Sequence, residues 1–133
     1  MYLIDTSIFL EVLLDQERAE ECKELLNKVL EGEVTAFVTS FSLHSIAIIM
    51  EKLKDLSSYQ IFVETISEFK GIIFYSPSIP DEIDVCKIAK EESLDFDDAL
   101  QYHTAMKFGL RILSFDKHFD NKEIKRLEPR DVL

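Results

Sequence analysis

The sequence predicts an α/β protein: one domain over residues 1–133, with a central, mainly parallel sheet of about four to five strands flanked by helices. Three observations predict it. Short apolar runs of strand type alternate with longer stretches whose apolar residues recur at helical spacing. The glycines Gly32, Gly71 and Gly109 each fall just after a predicted helix and just before a predicted strand, the place for a left-handed cap. Strands separated by helices need crossover connections, and crossovers make strands parallel.

Tyr2-Leu3-Ile4 forms a first short strand that ends in Asp5-Thr6-Ser7, and Ile8, Phe9, Leu10, Val12 and Leu13 begin a helix. Between Glu17 and Leu30, the apolar residues Ala19, Cys22, Leu25, Leu26, Val29 and Leu30 stripe a second helix that stops at Gly32. Val34–Val38 reads as a strand. Ser40–Leu53 is helical and nearly apolar from Ile46 to Met50, which implies deep burial or a subunit contact. Tyr59, Phe62, Val63, Ile66 and Phe69 mark the next helix, ended by Gly71, and Ile72–Tyr75 the next strand. Helices follow from about Pro80 to Glu92 and from Phe96 to Phe108, the latter closed by Gly109. The strand Arg111–Phe115 delivers Asp116, and a last short strand lies near Lys125–Leu127.

Composition narrows the function. The formal net charge of −11 argues against a protein that coats nucleic acid, because phosphate neutralisation by Lys and Arg supplies most of that affinity. It suits an enzyme whose carboxylates hold cations that then meet a phosphate, although a solvated acidic surface explains many of the 26 acids equally well. No apolar run approaches the ~20 residues of a membrane helix, and the N-terminus lacks the basic flank of a signal peptide, so a soluble cytoplasmic protein is expected. Cys22 and Cys86 both fall on apolar stripes and are expected as buried thiols.

In an open parallel sheet, sites form beyond the carboxyl ends of the strands, where the following helices start. Asp5 ends the first strand, Asp116 ends the strand from Arg111, and Asp98 lies in the first turn of the helix from Phe96. Three acids from distant segments are thereby expected on one edge. Like charges at close range raise one another's pKa, so a cation is their natural partner, and hard oxygen donors select Mg²⁺ or Mn²⁺. A cation so held activates water and stabilises a displaced phosphate oxygen, the chemistry of many nucleases. Each acid also has a plainer explanation: Asp5 as an N-cap, Asp95 and Asp98 as helix-start acids, Asp116 as a turn residue. Other chemistries find no support. There is no glycine-rich phosphate loop, no G-x-S-x-G, and no zinc spacing among His44, His103 and His118. His103 sits on a core stripe and is expected to be partly buried.

Leu3-Ile4-Asp5-Thr6-Ser7 resembles the opening strand and first acid of PIN domains. Leu94-Asp95-Phe96-Asp97-Asp98-Ala99-Leu100 is similar to the segment carrying their third acid, with Asp98 at the matching position. Leu113-Ser114-Phe115-Asp116-Lys117-His118-Phe119 is similar to their T/S-x-D-x-x-F motif, matching Ser114 and Asp116. The resemblance runs from residue 2 to about 120. It implies a Mg²⁺- or Mn²⁺-dependent endoribonuclease acting on RNA, of the VapC toxin type. Such proteins are usually dimeric and often inhibited by a small antitoxin. Asp5, Asp98 and Asp116 are then the metal ligands and catalytic acids, with Thr6, Ser7 and Ser114 in support.

One departure stands out. PIN domains place a Glu early in the helix after the second strand, but Thr39-Ser40-Phe41-Ser42-Leu43-His44-Ser45-Ile46 has no acid before Glu51. His44 is the expected occupant of that slot, with Ser42 and Ser45 as alternatives. Asp97 or Asp120 are candidates to compensate, Asp120 because it lies one helical turn beyond Asp116. The departure keeps two rival functions open: a catalytically silent PIN-like binding module and a DNA-processing nuclease.

Overall fold

The computed structural model describes residues 1–133. Five strands, β1 (Tyr2–Ile4), β2 (Ala36–Thr39), β3 (Ile72–Tyr75), β4 (Arg111–Leu113) and β5 (Arg126–Leu127), pair in the order β3-β2-β1-β4-β5. All four pairings are parallel, with Leu3 opposite Phe37 on one side and Ile112 on the other. The helices are α1 (Thr6–Leu13), α2 (Ala19–Leu30), α3 (Ser40–Lys52), α4 (Leu56–Ile66), α5 (Ile79–Glu92) and α6 (Phe96–Phe108). This is a single α/β domain of the expected class.

Strand alternation divides the core between the two faces of the sheet. Ile4, Val38 and Leu113 point to one face, where they meet Ile8 and Phe9 of α1, Leu25 and Val29 of α2, and Ile46 and Met50 of α3. Their neighbours Leu3, Phe37 and Ile112 point to the other, against Val85 of α5 and Leu100, Tyr102 and Ala105 of α6. Leu3 and Ile4 are both wholly buried, so β1 is covered on both faces, as a central parallel strand must be.

Capping explains several boundaries. Ser78 and Asp81 form a capping box at the start of α5, and Gly109 ends α6 with φ +65°, a left-handed conformation that a β-carbon opposes. Gly71 corrects the expectation of a third left-handed cap. Its φ is not positive; it is glycine because a β-carbon would collide with the carbonyl oxygens of Val34 and Val29.

Two further expectations change. Cys22 is buried, but Cys86 is exposed. The buried position on that turn of α5 belongs to Val85, and one residue along a helix turns a side chain by about 100°. In α3, Ile46 and Met50 are buried while Ile48 is 55% exposed, so the apolar run is only partly spent on the core.

Candidate functional site

The sheet changes direction at β1: β2 and β3 extend to one side of it, β4 and β5 to the other. Ligands of open α/β sheets bind beyond the carboxyl ends of the strands at such a reversal. Asp5 follows β1 there, and the strand β4, paired to it, leads through Ser114 and Phe115 to Asp116. The Asp5 backbone N–H donates to the Leu113 carbonyl (2.9 Å), so the two chain ends stay side by side for one more residue.

A polar cleft of about 270 Å³ opens at this point. Asp5, Thr6 and Ser7 line it from the start of α1, Phe41 and Ser45 from α3, Asp97, Asp98 and Gln101 from α6, and Asp116 from beyond β4. A second recess of similar size lies between α1, α2 and α4 and is lined mainly by apolar residues such as Phe9, Leu26 and Phe62. The polar cleft holds the titratable groups, and so it is the place for chemistry.

Asp5 occupies the N-cap position of α1, yet its side chain makes no capping hydrogen bond. The carboxylate instead accepts from Ser114 Oγ (2.7 Å), Ser7 Oγ (3.3 Å) and Gln101 Nε2 (3.3 Å). Asp98 is 7% exposed, and its Oδ2 lies 3.0 Å from Nδ1 of His118. Asp116 does serve a turn, since its Oδ1 accepts from the His118 N–H (2.8 Å), while its own N–H donates to Ser114 Oγ (2.9 Å). Ser114 therefore ties Asp5 to Asp116 directly. The cap explanation of Asp5 does not hold, whereas the turn explanation of Asp116 is correct as far as it goes.

No Lys or Arg forms a salt bridge with Asp5, Asp98 or Asp116; the imidazole of His118 is their one basic neighbour among the ion pairs. The electrostatic consequences are clear. Burial raises the pKa of Asp5 above the ordinary carboxylate value, against the hydrogen bonds from Ser114 and Gln101. Burial also pushes Asp98 up to about 6, with the charges of Asp116, Asp97 and Asp5 adding to it and the His118 hydrogen bond opposing. The pKa of His118 rises because Asp98 and Asp116 favour the imidazolium. Carboxylates in this condition are short of positive charge, and their oxygens are hard donors of the kind Mg²⁺ and Mn²⁺ take. Donor atoms of Asp98 and Asp116, with the His118 imidazole, lie within 4.8 Å of one another and fit such an ion, whereas Asp5 shares the cleft but stands outside that close group.

Of the supporting residues, Thr6 donates to Ser42 Oγ (3.1 Å), and Ser7 and Ser114 contact Asp5 as described. His44 is exposed and does not line the cleft; Ser45, one residue further along α3, does. Ser42 is buried beneath, where it accepts from Gln101 Nε2 (2.7 Å). Of the three candidates for that slot, His44, Ser42 and Ser45, only Ser45 lines the cleft. Asp97 lines the cleft, but Asp120 does not. The chain beyond Asp116 makes a 3-10 turn (Lys117–Phe119) rather than an α-helix, and Asp120 leaves it in extended conformation. Its carboxylate pairs with Arg126 (Nε to Oδ1, 2.7 Å).

Two further residues contact the predicted acids: Gln101 lines the cleft, and His118 lies beside it on a recess shared with Ser93, Asp95 and Asp98. Gln101 is 2% exposed and bonds to Asp5 and Ser42 while accepting from Thr39 Oγ1 (3.2 Å). Its signal was a polar residue three positions after Asp98, hence on the same helix face. For His118 the signal in the sequence is the short spacing Asp116-x-His118, which is not a zinc-type spacing.

The model of the PIN domain family matches residues 2–125. The chain belongs to the PIN domain family. No curated protein matches the sequence significantly. Among solved structures, the fold is similar to VapC20 of Mycobacterium tuberculosis, a toxin that cleaves the sarcin-ricin loop (14% identity, TM-score 0.79, 97% of this chain and 100% of that one). It is similar too to a chain of a toxin–antitoxin complex from Klebsiella pneumoniae (17% identity, TM-score 0.71, 97% and 98%). A third likeness is to VapBC2 of Rickettsia felis, solved on a DNA fragment from its promoter (14% identity, TM-score 0.73, 96% of each chain). At these identities the likeness is one of fold. No helix of this PIN domain is long and apolar enough to cross a membrane.

Proposed function

We propose that this PIN domain is a divalent-metal-dependent endoribonuclease and the toxin of a toxin–antitoxin pair. The observation that carries the reading is the convergence of Asp5, Asp98 and Asp116 in one cleft at the reversal of the sheet, without a Lys or Arg to neutralise them. Shared fold with a toxin that cleaves the sarcin-ricin loop and with a chain of a toxin–antitoxin complex supports the RNA substrate and a small antitoxin as partner. Asp5, Asp98 and Asp116 would hold Mg²⁺ or Mn²⁺, which when bound supplies Lewis acidity and an activated water. Ser114 and Gln101 fix the orientation of Asp5 by hydrogen bonds to both its oxygens, and Ser7 adds to one of them. The cation also resolves the charge problem: an acidic protein meets an RNA phosphate through an ion rather than through a basic surface. Ile48, Leu53, Leu56 and Ile61, all exposed, support self-association, which light scattering across micromolar concentrations measures.

A second reading, a silent PIN-like binding module, is favoured by one observation: the cleft has Ser45 where a further carboxylate is expected. Calorimetric titration with Mn²⁺ and cleavage of structured and unstructured RNA separate the two. The enzyme reading expects binding and cleavage, both lost in Asp5→Asn. A folded protein that binds no divalent ion would leave the silent module.

A further inference from the structure

We propose that His118 is a ligand of the bound cation and that its nitrogen makes the site prefer a first-row transition ion over Mg²⁺; this rests on the reading of Asp98 and Asp116 as ligands. The position of the ring is built, not accidental. Phe119, 1% exposed, anchors the 3-10 turn in the core beside α6. The Asp116 carboxylate accepts from the backbone N–H of His118, which closes the turn and brings the ring back over the acids. Nδ1 then lies 3.0 Å from Asp98 Oδ2 and 3.1 Å from Asp116 Oδ1. One donor atom from each of Asp98, Asp116 and His118 falls within 4.8 Å of the others.

Those separations suit a shared ion. Adjacent ligands of an octahedral ion with bonds of about 2.0–2.2 Å stand about 3 Å apart, so little rearrangement is needed to place one ion among the three. Solvent reaches the position from the ring side, since His118 is 67% exposed while Asp98 forms the wall behind it.

The donor chemistry sets the preference. Carboxylates and water suit Mg²⁺ and Mn²⁺ alike, but an imidazole nitrogen strengthens binding along the series from Mn²⁺ to Co²⁺ and beyond, and adds little for Mg²⁺. An imidazole added to the carboxylates should therefore make the site discriminate against Mg²⁺, where carboxylates alone would not.

The test uses the full chain, with Mg²⁺, Mn²⁺ and Co²⁺ as probes, in wild type, His118→Ala and His118→Gln. Calorimetry should show Co²⁺ bound more tightly than Mg²⁺, with His118→Ala losing about tenfold or more in Co²⁺ affinity and little for Mg²⁺. Pulsed EPR of the Mn²⁺ form should show coupling to a directly bound ¹⁴N nucleus, absent from both variants. Circular dichroism checks that the variants fold; His118→Gln keeps a polar side chain if the alanine variant does not. Mn²⁺ binding that Asp98→Asn abolishes, but with no ¹⁴N coupling in wild type, would overturn this inference and leave the nuclease reading standing. Equal loss of Mg²⁺ and Co²⁺ affinity in His118→Ala overturns it as well. If wild type binds none of the three ions, the nuclease reading falls and this one with it.

Discussion

Asp81 and Asp98 are both buried carboxylates, on the packed helices α5 and α6, and their surroundings treat them in opposite ways. Asp81 accepts from the Tyr75 hydroxyl, from the Ser78 N–H (2.8 Å) and from Lys107 Nζ (2.9 Å). These partners, Tyr75 first, hold its pKa well below the usual carboxylate range despite burial. Asp98 has comparable burial, one imidazole partner and three acidic neighbours, and is pushed up to about 6. Burial alone therefore does not say what an acid is for. A carboxylate given enough donors is held in its charged form; one buried among other acids has that form disfavoured, a condition a bound cation would relieve.

The largest effect that would break this comparison is on metal binding. Asp98→Asn should lower Mn²⁺ affinity by about a hundredfold or more, beyond the loss typical of residues that merely orient a ligand. Its thermal stability without metal should be unchanged or raised, because burial and the neighbouring acids disfavour the charge that is removed more than His118 favours it. Unchanged Mn²⁺ affinity in calorimetry would place Asp98 with the structural acids. At Asp81 the opposite pattern is expected. Asp81→Ala should leave metal affinity intact and cost about 2 kcal/mol in urea unfolding, through the loss of the capping box and of the charged acceptor of the Tyr75 hydroxyl and Lys107.

A smaller effect sharpens the comparison from within the cleft. Ser45→Glu supplies the missing carboxylate and should tighten Mn²⁺ binding by about tenfold, or about 1.4 kcal/mol. His44→Glu, on the solvent side of the same turn, should do nothing measurable, and a calorimetric reversal of that order would show that His44 after all reaches the site.

The smallest effect is in the pH dependence of stability without metal, and its sign differs between Asp98 and Glu128. Asp98 has a folded-state pKa near 6 and an ordinary value of 3.8, so its charge opposes folding above 6, and the penalty is relieved as pH falls from 6 towards 3.8. Glu128, held between Arg18 and Arg126, is lowered from 4.5 to about 2; its stabilising contribution is complete above 4.5 and lost as pH falls from there through 2. The stability gap between wild type and Asp98→Asn should close on acidification from pH 7 to 4. The gap to Glu128→Gln should persist over that range and vanish only below it. Parallel behaviour of the two in urea melts would contradict the distinction.

Much of this was legible in the chain. Helix α6 is legible at its observed bounds because Asp95 and Gly109 mark both ends and Asp98 falls in its first turn by counting. Asp5 is legible because it directly follows the apolar run of β1, and Asp116 because it comes shortly after the apolar run of β4, which ends at Leu113 rather than at the expected Phe115. Phase and turn type were not. His44 and Ser45 are neighbours in sequence, and only the packing of Ile46 and Met50 decides which faces the cleft. Asp120 was placed by assuming an α-turn where the chain makes a 3-10 turn and then pairs the acid with Arg126.

The sequence by itself determined the α/β class, the order of the elements and the three acids at the carboxyl edge, because periodicity, glycine stops and strand ends are local and can be counted. Only the tertiary structure decided the strand order that sets β1 beside β4, the hydrogen bonds that Gln101 and Ser114 give to Asp5, and the approach of His118 to Asp98. Those contacts join residues about twenty to more than a hundred positions apart. No local pattern reports them, since they follow from how side chains pack at a sheet edge rather than from any spacing along the chain.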